Sequence, residues 1–150
     1  MSSRIKIIIG LSPKSFETIT KSIISVALLL CVSGYLHAQT LTIRVENAII
    51  GKGNVMVGIF NDKKTFPDTY FRGQKISVSE KTTIIAFNDL PQGQYAVSVY
   101  QDSNGNGQLD KNILGIPKEK YGFSNNSDRP DFEKCLFDFN NDKTITIKIK

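Results

Sequence analysis

The residues best suited to chemistry stand in one segment, Asp102-Ser103-Asn104-Gly105-Asn106-Gly107-Gln108-Leu109-Asp110. Counted from Asp102, oxygen-bearing side chains fall at positions 1, 3, 5 and 9, and Gly107 takes position 6. A calcium loop of the EF-hand type needs that spacing. Alternate side chains converge on one centre, the Gly permits the sharp turn, and position 7, here Gln108, offers a carbonyl. The candidate metal ligands are therefore Asp102, Asn104, Asn106, Gln108 and Asp110, and Ca²⁺ is the candidate cofactor. Two features count against it. Position 12 is Ile113, where a bidentate Glu would complete the shell, and Asn stands for Asp twice. A site built this way binds weakly, on the order of 10⁻⁴ to 10⁻³ M. The alternative is a bare turn, because Asn, Asp and Gly tolerate left-handed backbone and bond local amides. The incomplete ligand set puts the bare turn ahead.

Other chemistries find less support. The chain has one His, His37, and two Cys, Cys31 and Cys135. His37 falls in the segment expected to be removed, so the mature chain holds no Ser-His or Cys-His couple and no His-ligated zinc. Glu119, Asp128, Asp131 and Glu133 are close enough in sequence to suggest a paired acid and base. Carboxylates in a polar loop are usually solvated, however, and no catalytic residue is assigned. Cys135 sits in an alternating Cys-Leu-Phe-Asp-Phe run and is expected to be a buried small apolar residue, with an intermolecular bridge as the alternative. Asn125-Asn126-Ser127 fits a glycosylation triplet, a pattern that also arises by chance. Tyr121-Gly122-Phe123 reads as a pin that anchors the surrounding loop, with the lining of a ligand groove as the alternative.

The elements that position these residues read as strands. Leu41–Glu46, Val55–Phe60, Lys75–Ser79, Thr82–Phe87, Gln94–Tyr100, Cys135–Phe139 and Thr144–Ile149 alternate apolar and polar residues or carry β-branched runs. Tyr95, Val97 and Val99 share one face, as do Ile145, Ile147 and Ile149. Gly51–Asn54 and Asn88–Gly93 supply turn chemistry. Seven short strands without a helical period predict an all-β fold, a seven-stranded antiparallel β-sandwich, with a small β-barrel as the alternative. Residues 101–134 carry no clear strand. A loop that long in a compact domain is usually functional or held by something.

Upstream, Ile23–Val32 is an apolar run of about ten residues, short of the roughly 20 a membrane-spanning helix needs. Lys14 and Lys21 precede it and Ala38 follows at a small-residue cleavage position. Residues 1–38 therefore read as a signal peptide and 39–150 as the mature domain, periplasmic or secreted. A retained N-terminal anchor is the alternative. The formal charge of +5 is largely a property of the leader, which holds Arg4, Lys6, Lys14 and Lys21 against Glu17. About 112 residues remain, with 15 basic against 13 acidic, and no cluster of Lys and Arg with interleaved aromatics. No nucleic-acid partner and no membrane span are expected of the mature chain.

The stretch Leu90–Val99, then Asp102–Asp110, Leu114-Gly115-Ile116-Pro117 and Tyr121–Asn126 resembles the bacterial family called domain of unknown function 2141. The resemblance covers about residues 40–150. It implies a small exported β-sandwich and supplies no catalytic residue. The Leu90-Pro91-Gln92-Gly93-Gln94-Tyr95 turn also resembles prealbumin-like and carboxypeptidase-regulatory-like sandwich domains, an analogy of fold alone, and the expected sandwich is of the immunoglobulin-like or prealbumin-like kind. The combined expectation is an exported, non-enzymatic binding or structural module of the cell envelope, stabilised by calcium if the 102–110 loop holds it. Its partner would be a polysaccharide, a protein or a small molecule. The alternative is a metal-assisted hydrolase using loop carboxylates.

Overall fold

The computed structural model describes residues 39–150. The expected signal peptide, its cleavage point, His37 and Cys31 lie outside the described residues. Alternation in sequence becomes alternation in burial. In β1 (Thr40–Glu46), Leu41, Ile43 and Val45 are fully buried while Thr42, Arg44 and Glu46 turn outward. Successive residues of a strand point to opposite faces, so one apolar set per strand reaches the core. Val55, Val57 and Ile59 of β2 (Asn54–Phe60) meet it from the other side. Ile85 and Phe87 of β4 (Thr82–Asn88) join it, as do Tyr95, Val97 and Val99 of β5 (Gly93–Asp102). Each such aliphatic side chain contributes roughly 1.5–3 kcal/mol by leaving water.

The remaining strands are β3 (Arg72–Ser77), β6 (Tyr121–Phe123), β7 (Phe137–Phe139) and β8 (Lys143–Lys148). The eight strands form a three-stranded sheet, ordered β4-β1-β8, and a five-stranded sheet, ordered β3-β2-β5-β6 with β7 also on β5. Both sheets turn their inner faces to one apolar cluster. The fold is all-β, and its ladders remain two separate sheets, so the small barrel does not form. Side chains tie the facing edges instead: Gln74 Nε2 on β3 donates to Ala86 O on β4 at 2.8 Å.

Three sequence expectations are corrected. The described residues hold eight strands, because Tyr121–Phe123 adds one within 101–134 and pairs with β5, Ser98 opposite Phe123. That segment pins the loop as expected, but as a strand. The β1–β8 pair is parallel, Ile43 beside Ile145, so the body is not wholly antiparallel. Periodicity reports which face a strand buries and is silent on direction. Cys135 ends a one-turn helix, Phe132–Cys135, capped by Asp131, and the strand begins at Phe137. Cys135 is nonetheless fully buried with a free thiol, as the sequence suggested, and burial pushes that thiol up.

Candidate functional site

β5 carries the site to its place. Its inner-face residues build the core, and its outer-face residues Ala96, Ser98, Tyr100 and Asp102 line the far side of the five-stranded sheet. At its end Gln101 is buried inward and binds the β1–β2 turn, accepting from Ile49 N at 2.9 Å and donating to Lys52 O at 2.6 Å. Gly53 closes that turn with φ +61°. A Cβ there would stand 1.8 Å from Asp102 O, so only glycine fits.

Asp102 is fully buried and organises the loop that follows. Its Oδ1 accepts from Gly105 N at 2.7 Å and Asn106 N at 3.1 Å, and its Oδ2 from Gly107 N at 2.9 Å. Asn104 Oδ1 accepts from Asn106 N and Asn106 Oδ1 from Gln108 N. Their amide nitrogens both reach Asp110: Asn104 Nδ2 to Oδ2 at 2.7 Å and Asn106 Nδ2 to Oδ1 at 3.0 Å. Asp102, Asn104, Asn106 and Asp110 are thus joined in one network, while the Gln108 residue enters it through its backbone N–H.

Glu119 completes the arrangement, and the metal spacing had passed over it. Its Oε1 accepts from Ser103 N at 2.7 Å and its Oε2 from Asp110 N at 3.2 Å, stapling the loop's two arms. Tyr100 Oη donates to Gly107 O at 2.8 Å and holds the loop down on the sheet. Burial raises the Tyr100 phenol, and the Asp102 and Glu119 charges add to that, so it stays a proton donor. Among the described residues no group of three or more His, Cys, Asp or Glu side chains stands in a metal-holding arrangement. The Asp and Asn side chains of the loop are spent on one another and on backbone N–H groups.

The other carboxylates weighed for catalysis are structural neighbours of backbone or lysine. Asp131 caps the short helix at Lys134 N, Glu133 meets Lys63, and Asp128 meets Lys150. The Lys150 contact lowers the Asp128 carboxyl and raises the Lys150 amine. Asn125, in the glycosylation triplet, spends its side-chain nitrogen on Lys134 O and Leu136 O.

A groove of about 480 Å³ runs between this loop and the sheet, with Ser98, Tyr100, Tyr121 and Phe123 on its floor and Arg129 at one side. A neighbouring hollow of about 280 Å³ continues it past Gly58 and Gly73 to Tyr70. The cause is a row of small residues across three strands. Gly73 pairs with Gly58, and Gly58 with Ser98. The row lowers the sheet surface, and Tyr70 lies over it. A Cβ on Gly73 would meet the Tyr70 ring at 2.8 Å, and one on Gly58 the Phe60 ring at 3.0 Å. Part of this was signalled in the sequence by Gly58 inside the Val55–Phe60 run, since a Gly within a strand marks a close approach, whereas Gly73 lies before the expected Lys75–Ser79 strand.

Two sheets around one core, with an Asp-centred loop folded over the larger sheet's outer face, define the class: an all-β domain with a loop-built groove. The model of the family described as uncharacterized protein conserved in bacteria (DUF2141) matches residues 43–148. The chain belongs to that family. No curated protein and no solved structure matches the chain.

Proposed function

We propose that this chain is an exported, non-enzymatic module of the cell envelope that holds a short stretch of polysaccharide in the groove. The two-sheet body is read as an immunoglobulin-like or prealbumin-like sandwich serving as its support. The groove carries the proposal. Its volume falls in the range of small-ligand sites, roughly 300–1,000 Å³. Tyrosine rings supply flat apolar surface with polar tips, and Ser98, Lys75 and Arg129 supply hydrogen-bonding groups. A hydrolase would need an acid or base free to act beside a bound substrate. Glu119 and Asp131 are instead engaged with backbone N–H groups, and Asp128 with Lys150. Asp68 stands exposed at the rim.

Calorimetry with solubilised envelope polysaccharide fragments tests this reading. The unaltered protein binds, and Ser98→Trp, which fills the floor between Gly58 and Phe123, abolishes binding while leaving the unfolding transition in place. Failure of every fragment to bind the unaltered protein sinks it.

The same reading keeps Ca²⁺ as a weak stabiliser of the loop. Asn104, Asn106 and Asp110 already converge, and half-turns of the two amides would present oxygen toward Asp110. Those turns would cost the bonds to Asn106 N and Gln108 N, which is why the affinity is weak. Adding millimolar Ca²⁺ raises the unfolding midpoint in proportion to binding. An unchanged midpoint removes calcium and leaves the groove reading intact.

A further inference from the structure

The excursion between Asp110 and Glu119 ends in an apex that nothing above uses. Lys111 and Pro117 form an antiparallel bridge, and the intervening residues make a tight turn with Gly115 at φ +77°. At its tip Ile113, Leu114 and Ile116 are 102%, 78% and 57% exposed. Single exposed aliphatics are ordinary, but three within four residues on a hydrogen-bonded turn are not.

Most of the N–H groups of this turn are satisfied internally. Asn112 N donates to Ile116 O and Gly115 N to Asn112 O, each at 2.9 Å. The Asn112 side chain accepts from Leu114 N at 2.9 Å and Ile116 N at 3.0 Å. Four of the apex N–H groups thus have partners without water. Water would have satisfied them at no cost, whereas an apolar surrounding demands internal partners. The charges fit the same surrounding. Lys111 and Lys118 stand exposed on the two arms, and residues 111–118 contain no acid. With the apex sunk into acyl chains, both ammonium groups would reach the level of lipid phosphates. A protein partner is less suited to this shape, since stable protein interfaces take about 20–30 residues a side.

We propose that the 111–118 apex is an interfacial anchor that inserts Ile113, Leu114 and Ile116 into an anionic lipid surface. The proposal does not rest on what the groove binds, although Lys111, Gly115 and Pro117 also border the groove. Only the apex enters the bilayer and the domain remains outside it.

The chain contains no Trp, so one introduced indole reports its own surroundings. Full-length Leu114→Trp is mixed with vesicles of phosphatidylethanolamine and phosphatidylglycerol in equal parts, with phosphatidylcholine vesicles as the comparison. Emission shifts to the blue and is quenched by acyl-brominated lipid in the anionic vesicles, and much less with phosphatidylcholine. Ile84→Trp, at an exposed position on β4, shows neither change. Adding Lys111→Glu and Lys118→Glu to Leu114→Trp lowers the apparent affinity by about tenfold or more. Recruitment through residues 1–38 alone would leave the Leu114→Trp reporter unquenched, and that result overturns the proposal. Equal responses from the two reporters overturn it as well. Circular dichroism of each variant confirms that the fold is kept.

Discussion

Residues 61–71 and 124–136 cover one end of the larger sheet's outer face with aromatic rings, and residues 103–118 cover the other with hydrogen bonds. At the first end Phe60, Ala96, Phe123 and Cys135 form a small second core, with Phe66 and Phe132 against it. Phe66 sits at its centre, edge-on to Phe60 at 5.0 Å, Phe132 at 5.6 Å and Phe123 at 6.0 Å. At the second end a single buried carboxylate, Asp102, takes three backbone N–H groups. Apolar contact is non-directional and holds a segment without fixing each peptide. Hydrogen bonds to one carboxylate fix each peptide they touch, so the second loop can present a groove wall and an apex in set positions.

The largest expected effect falls on the aromatic end. Phe66→Ala removes the ring that three others touch and lowers stability by about 3 kcal/mol, read from the urea midpoint. The groove floor at Ser98 and Tyr100 remains. If this change also frees the 103–118 loop in amide exchange, the two ends are one cooperative unit and the contrast fails.

Asp102→Asn comes next. An amide can accept only through its one oxygen, and its NH₂ would face the Gly107 N–H, donor against donor. A loss of about 2 kcal/mol is expected, together with faster exchange at Gly105, Asn106 and Gly107 and no change around Phe66. A neutral result would mean that the carboxylate charge does not organise the loop.

The smallest effect concerns the Asp128–Lys150 contact. The Asp128 carboxyl is lowered in the folded chain, so its contribution is present above the ordinary value of 3.8 and lost as pH falls through the folded value. The Lys150 amine is raised, so its share is present below 10.5 and lost as pH rises through the folded value. Asp128→Asn should differ slightly from the unaltered protein in melting temperature near neutral pH and converge with it in acid. Both groups are exposed, and salt shrinks the difference. A large gap that persists in acid would show a role for Asp128 beyond the ion pair.

Much of the body was legible because burial follows local alternation. Leu41, Ile43 and Val45, or Tyr95, Val97 and Val99, name their face by spacing alone. Lys75–Ser79 was displaced, with the strand running from Arg72 to Ser77, because Gly73 and Gln74 carry no apolar alternation and are placed by pairing with β2. The loop was legible as an Asp/Asn/Gly turn, since its bonds span two to six residues. Glu119's part was not, because it reaches Ser103 across 16 residues. The groove was invisible for the same reason: Gly73, Gly58 and Ser98 are scattered in sequence and become neighbours only through register.

From the sequence alone came the all-β class, the inward sets of β1, β5 and β8, the buried Cys135 and the turn chemistry of residues 102–110. These depend on side-chain type and on spacings within one strand or one turn, where the backbone fixes which atoms meet. Tertiary structure decided the parallel β1–β8 pair, the eighth strand, the trough beneath Tyr70 and the set of the loop over Tyr100. Those depend on which distant segments lie side by side, a choice made by the shared burial of many residues at once.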